Sequence, residues 1–411
     1  MHIIPIIHDV PPAFVARILI PEPNGTYIFR TRKSNDDLIS SMQINNRTKG
    51  NYVILSVRVD STIYKTPIMN YLIALTEQGA AQLLTQYESQ RNTLKNLPLL
   101  KHELILLGKN LTWQLNHKEF HDIDFTNGEF GGKNNKGLST ALWQRPRQHD
   151  IKIFIKRFDK TSSYFNTEFS LLKQLCYFSI TTLYGHYTDH DCNCLVFAYS
   201  GKSLESVCPI QDQNGESKMR RIVKIAYQIS NAMIYLEKKN IVHRDLTAGN
   251  VLIDEYGYIR IADFGHAILK EQGKNNLSRS LTDTGEDRFQ IRFVAPECIP
   301  KPLLSSQNKQ PTNNDRRQLY ASFTSKSDVW SFGILLIQLM IPKPSKPYPH
   351  IKEDNDIPQH IKMNREIHWR PNDCHIDIYY ILQQCWAYEP INRISFIDIR
   401  KKMNMLDSIL S

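Results

Sequence analysis

The stretch "NVLIDEYGYIRIADFG" constrains this chain more than any other. Two short apolar runs flank a Tyr-Gly turn signal, so the segment reads as a β-hairpin. Closing it places Asn250, at its start, and Asp263, just past its end, on neighbouring rigid elements. Two oxygen acceptors so placed suit a hard cation such as magnesium, which takes oxygen ligands and leaves room for phosphate.

The residues upstream extend this chemistry. "RIVKIAYQISNAMIYLEKKN" puts Ile222, Ile225, Ile229, Ala232, Met233 and Leu236 on one helical stripe, and "IVHRDLTAGN" follows with Asp245. Further back, "IKIFIKRF" alternates, with Ile151, Ile153 and Ile155 on one face and Lys152, Phe154 and Lys156 on the other. "FNTEFSLLKQL" then has helical spacing and carries Glu168. Singly, Lys156 reads as a solvated lysine on an edge strand and Glu168 as an exposed helix residue. Together these groups are what phosphoryl transfer needs: a phosphate cradle, cation ligands, and a carboxylate beside the attacking hydroxyl.

"IFIK", "HRDLTAGN", "DFG", "APE" (Ala295–Glu297), "SDVWSFGILL" and "CWAYEPINRISF" occur in the order of the protein kinase signature, and the chain from 119 onward resembles that catalytic domain. The resemblance implies a bilobal fold over 119–411 that uses ATP and Mg2+. It implies Lys156 as the phosphate ligand oriented by Glu168, Asp245 as the base, and Asn250 and Asp263 as metal ligands. It also pairs Glu297 with Arg393 and sets Asp328 to brace the catalytic loop. The glycine-rich loop, "TNGEFGGKNNKG", keeps Gly128 and Gly131 as ATP-binding positions, but Thr126 stands where the first glycine belongs and "GKNNK" is inserted ahead of Leu138. A Cβ there hinders close backbone approach to phosphate.

Two features bear on the acceptor. Thr247-Ala248-Gly249 lacks the lysine typical of serine/threonine kinases, and "QIRFVAPE" is similar to the tyrosine-kinase P-I-[KR]-W-x-A-P-E, with Phe293 for the tryptophan. Protein tyrosine is the expected acceptor. A serine/threonine or dual-specificity enzyme and a pseudokinase scaffold are the alternatives. No tyrosine lies between Asp263 and Glu297, so activation by a phosphotyrosine in that segment is excluded.

Residues 1–105 form a separate module. "GTYIFR", "NYVILSVR", "IYK" and "AAQLLTQYES" follow the order of a Src-homology-2 (SH2) domain, over about 12–105 with the first strand missing or eroded. The resemblance implies an α+β unit with a central antiparallel sheet flanked by two helices. It also implies phosphotyrosine-containing protein partners, bound through Arg30, with Lys65 as a second phosphate contact and Arg32 adding positive charge. A linker, 106–118, carries Trp113, read as packing against the small lobe.

The chain of 411 residues has a net charge of +10, which suits phosphate-bearing partners, but its basic residues are dispersed and give no nucleic-acid platform. Seven cysteines, none before Cys176, argue for a reducing compartment, and "DHDCNCL" reads as a hairpin tip rather than a zinc site. "WSFGILLIQLMIP" is too short to span a bilayer and reads as a buried helix. With no signal peptide in "MHIIPIIHDVPP" and His2 where myristoylation requires glycine, the expected location is cytoplasmic.

Overall fold

The computed structural model describes strand backbones at 6–7, 26–33, 51–58, 68–74 and 102–103. It also describes residues 113–124, 137–144, 150–175, 177–189, 192–213, 215–270, 290–299, 322–342, 346–363 and 367–410.

The five N-terminal strands, β1 (Ile6–Ile7), β2 (Thr26–Lys33), β3 (Asn51–Arg58), β4 (Ile68–Ala74) and β5 (His102–Glu103), make one sheet. Its centre, β2-β3-β4, is antiparallel, rich in the β-branched and aromatic residues that favour strands. β1 and β5 run parallel to β2, with Ile7 opposite Arg30 and His102 opposite Thr26. β1 is only two residues long. In β2, Arg30 stands opposite Ile54 and Arg32 opposite Tyr52. Lys65 and both expected flanking helices lie outside the described residues.

The second sheet runs in the order β6 (Phe120–Asp124), β7 (Leu138–Trp143), β8 (Ile151–Asp159), β10 (Cys192–Ala198), β9 (Leu183–Asp189). β8 is its middle strand, so Lys156 is not on an edge. The alternation of β8 packs both faces: Ile153 and Ile155 enter a small cluster with Phe120, Tyr184 and Val196, while Phe154 joins the main core. β9 and β10 form the expected hairpin, with Cys192 opposite Asp189 at its end, and both Cys192 and Cys194 are buried on β10. Helix α1 (Ser163–Leu172) packs against β10 through its buried face, which includes Phe165, Glu168, Leu171 and Leu172. Trp113 packs edge-on against Phe169 of α1, at 6.1 Å, and its carbonyl accepts the His186 N–H.

Beyond β11 (Lys202–Ser203) and α2 (Leu204–Val207) the chain turns helical. Gly201, at φ +88°, makes that exit possible, since a Cβ there would lie 2.0 Å from the Ile253 carbonyl. Helix α3 (Lys218–Lys238) starts at Ser217, whose hydroxyl accepts the Arg220 N–H. All six stripe residues are buried, and so are Val223, Ala226, Ser230 and Ile234. The strands β12 (Ile241–Val242), β13 (Val251–Ile253), β14 (Ile259–Ile261) and β15 (Ile268–Leu269) follow, β13 and β14 forming the expected hairpin and β12 pairing with β15.

Helix α4 (Ser325–Met340) begins with a reciprocal capping box between Thr324 and Ser327 and is buried on all sides from Ser327 to Met340. Helices α5 (Ile357–Met363), α6 (Ile376–Cys385) and α7 (Phe396–Ile409) complete the lobe, α7 lying along α3. Among the described residues, no helix is long and apolar enough to cross a membrane.

Glu297 and Arg393 form a two-pronged ion pair, with both N–O distances at 2.7 Å and the guanidinium fully buried. Arg393 also donates to the carbonyls of Ala387, Lys326 and Tyr388 and lies over the Trp330 ring. Arg393→Leu strands the Glu297 carboxylate and three acceptors, so it is expected to lower stability by about 3–5 kcal/mol, read as a fall in the urea midpoint.

Candidate active site

The hairpin and its two flanking turns bring the expected polar residues together. Asn250, at the end of a 3-10 turn, donates its amide to the Asp245 carbonyl at 2.8 Å and to its carboxylate at 2.7 Å. That orientation leaves the Asn250 amide oxygen as an acceptor. Past β14, Asp263 adopts φ +60°, costly for a residue with a side chain, and its Oδ1 accepts the Gly265 N–H at 3.2 Å.

Lys156 reaches from the middle strand to two carboxylates, Glu168 Oε2 and Asp263 Oδ1, each at 2.8 Å. The Phe264 N–H also bonds to Glu168. Glu168 is 1% exposed, so the residue expected as an orienting partner is a buried one. The direct Lys156–Asp263 contact is not visible in the motif spacing, since it joins positions more than a hundred residues apart. An ammonium has three donors, and two are committed here, leaving one to face a phosphate.

Burial opposes the Lys156 charge, but the two carboxylates outweigh it and hold the ammonium firmly protonated. Asp263 is pulled down to about 2: burial works against ionisation, and the Lys156 charge overcomes it. Burial pushes Glu168 up to about 7 against the pull of the same lysine. Asp245 is also raised to about 7, first by burial and then by the Asp263 charge.

The donor set suits magnesium. Asp263 and Asn250 offer hard oxygens, and Asp245 stands beside them. Among the described residues no group of three or more His, Cys, Asp or Glu could hold a metal ion. A magnesium ion fits this pair because it fills its remaining places with phosphate oxygens and water. Gly128, Gly131 and Thr126 lie outside the described residues. Leu138 opens β7 directly opposite Lys156, at the near end of the two strands that follow the glycine-rich stretch.

Asp328 takes the Arg244 N–H at Oδ1, 3.0 Å, and the His243 N–H at Oδ2, 2.8 Å, from beneath the loop. His243, fully buried, has one nitrogen beside the Ala262 carbonyl at 3.1 Å and the other accepting the Asp245 N–H at 3.3 Å. Only a neutral imidazole makes both bonds, with Nε2 donating and Nδ1 accepting.

These features define a bilobal fold with an acidic, lysine-anchored cleft. A family model described as "Protein tyrosine and serine/threonine kinase" matches residues 125–403, and the chain belongs to that family. It is 27% identical over 337 residues to the Tyrosine-protein kinase transmembrane receptor Ror of Drosophila melanogaster, covering 79% of this chain and 45% of that protein. It is 26% identical over 334 residues to mouse Tyrosine-protein kinase Fer, covering 76% of this chain and 34% of the relative. With mouse Tyrosine-protein kinase Fgr it shares 32% over 188 residues, 46% of this chain and 31% of the relative. The chain therefore spans less than half the length of these relatives.

The His243 environment gives a pH test. Burial lowers its folded pKa to about 4 from an ordinary 6.5. The unfolded chain then binds the extra proton first, so the contribution is fully present above pH 6.5 and is lost as pH falls towards 4. The lost stability is about 3 kcal/mol from this group. His243→Gln is expected to flatten that part of the stability–pH curve, measured by urea unfolding at a series of pH values.

Proposed function

We propose that this protein transfers the γ-phosphoryl group of ATP to tyrosine hydroxyls of proteins, directed by its N-terminal module. The observation that carries this reading is the placing together of two bonded sets, Lys156 with Glu168 and Asp263, and Asn250 with Asp245, close enough that the Asp263 charge acts on Asp245. Lys156 neutralises phosphate charge, and Glu168 fixes its position. Asn250 and Asp263 hold the magnesium ion, which screens the charge of the transferring group. Asp245 orients the acceptor hydroxyl and takes its proton, for which a carboxylate raised to about 7 is well matched. The retention of every one of these groups weighs against a pseudokinase scaffold.

Tyrosine is favoured over serine and threonine by "QIRFVAPE", by the absence of lysine at Thr247, and by the names of the three relatives. Incubation with Mg-ATP and a random Glu/Tyr copolymer is expected to yield phosphotyrosine, and Asp245→Asn to lower the rate by about 100-fold or more. Phosphoserine or phosphothreonine alone would move the assignment to the second acceptor class. No transfer, by the full chain or by residues 106–411, would leave the scaffold reading.

The N-terminal sheet supports an SH2-like reader of phosphotyrosine. Its centre is antiparallel, and Arg30 stands in the middle of β2; a planar guanidinium is the group suited to meeting a phosphate two-pronged. Titration with a phosphotyrosine peptide and its unphosphorylated form gives the test. Binding is expected for the first alone, with at least about a tenfold loss in Arg30→Lys, since an ammonium cannot reproduce the bidentate contact. Equal binding of the two peptides would remove phosphate recognition from the module.

A further inference from the structure

Three imidazoles and a phenol that take no part in the cleft lie side by side. The ring centres of His350 and His360 are 4.9 Å apart, and those of His368 and Trp369 are 4.5 Å apart. Tyr348 packs against His360 at 5.7 Å and against His368 at 6.2 Å. The cluster joins the 346–351 loop after α4, α5 through His360, and the 367–369 loop. From α6, the Tyr379 hydroxyl donates to the His368 carbonyl at 2.7 Å. His350 faces solvent, whereas Tyr348 is 0% exposed and His368 2%.

The buried rings cannot take a proton where they stand. His368 Nδ1 donates to the Trp369 carbonyl at 3.0 Å, so Nε2 carries the lone pair. That Nε2 is sealed from solvent with no hydrogen-bond partner, and so is the Tyr348 hydroxyl. A proton added at Nε2 makes an N–H that meets no acceptor in the closed packing. Burial lowers the pKa of His368 and of His360, which bonds to the Ile367 backbone, and the neighbouring imidazoles oppose a charge on either ring. Among the described residues no carboxylate acts on these two rings. Asp354 pairs with Arg292 and Lys346, and on α6 Asp377 faces His375. Glu353, Asp356, Lys362 and Arg370, on the same segments, are exposed.

Tyr348 ties the cluster to the segment ahead of Glu297. Its backbone sits at φ +54°, unfavourable for a residue with a side chain, so the packing of its ring holds the turn. Its carbonyl accepts the Ile351 N–H and Arg292 Nη1, each at 3.0 Å, and Arg292 also donates to the carbonyls of Pro347, Ile351 and Lys352. We propose that the histidine cluster is an acid-sensitive latch: protonation of His368 and His360 opens the 346–352 turn, releases Arg292 and loosens residues 290–294. Both rings take a proton less readily when closed than an open imidazole does at its ordinary 6.5, so the open form binds protons first. The latch is therefore closed above pH 6.5 and weakens as pH falls below it, opening by up to about tenfold more per pH unit for each proton taken up. It lies outside the cleft residues and does not depend on the phosphotransfer reading.

Amide hydrogen exchange of the full-length protein measures the opening, once corrected for the intrinsic pH dependence of exchange. The reporters are the N–H groups of Ile351, Phe293 and Val294, each bonded within these turns, and amides of α3 report global unfolding. Between pH 7.5 and 5.5 the protection of the reporters is expected to fall by at least about tenfold, the gain in opening that one imidazole gives. His368→Phe fills the same place with a ring that takes no proton, and is expected to cut that fall by at least about threefold. His350→Gln, an exposed change that leaves the packing in place, removes a like charge from the cluster and is expected to cut the fall as well. His243→Gln, which removes the other buried imidazole, is expected to leave it. A fall that either cluster variant reduces and His243→Gln does not upholds the latch. No fall, protection equal to that of α3 at both pH values, a fall unchanged in both cluster variants, or one abolished by His243→Gln each overturn it.

Discussion

The geometry of the cleft hangs on Asp328. The catalytic loop turns through Arg244 at φ +70°, a conformation that costs a long side chain on the order of 1–3 kcal/mol. In that turn the N–H groups of His243 and Arg244 have no strand or helix partner, and unpaired they would be costly in a fully packed setting. Both point at the Asp328 carboxylate, which is 1% exposed. Asp328 in turn is fixed by α4, whose capping box sets the first turn and whose whole circumference is buried. The position of Asp245 is thus inherited from a core helix more than eighty residues downstream. Phe323, just before that helix, lies against the Arg244 guanidinium and secures the same turn from its other side.

A second layer of control is electrostatic. One ammonium, Lys156, stands between Glu168 and Asp263, and its attraction outweighs the burial that would otherwise neutralise Asp263. Asp245, buried and close to the charge on Asp263, is raised towards neutrality despite the pull of Lys156 and Arg244. Neighbouring carboxylates thus have opposite tendencies, one kept ionised for a cation and one able to hold a proton. His243 belongs to the same design: a neutral imidazole ties the Asp245 N–H to the Ala262 carbonyl without adding charge.

The sequence made the cleft chemistry legible because that chemistry is local. Asn250, Asp263 and the hairpin between them can be read from a single stretch, and so can the apolar stripe of α3. The extra buried positions on α3 were not legible, because α7 packs along the same helix from a segment far down the chain. Lys156 passed for an edge residue for a similar reason: the neighbours of β8 are β7 and β10, and alternation alone does not reveal how many strands flank it. The Lys156–Asp263 bond joins distant segments, and a motif does not record it. Arg292 is the clearest case, since in the sequence it served only to match a tyrosine-kinase pattern.

In the structure Arg292 is a fastening point. Its guanidinium is 5% exposed and donates to Asp354 at 2.7 Å and to the carbonyls of Pro347, Tyr348, Ile351 and Lys352. Five residues beyond Arg292, Glu297 is held in the same way by Arg393, which also bonds three carbonyls. Residues 292–297 are therefore pinned at both ends by buried guanidinium groups. Each is matched to a carboxylate and to backbone acceptors, so that little donor capacity is wasted. A segment with no tyrosine between Asp263 and Glu297 has no phosphotyrosine with which to order itself. The charge needed to hold its far end is already built into the fold, as Asp354 and Glu297, and that end keeps its place without covalent modification of a tyrosine.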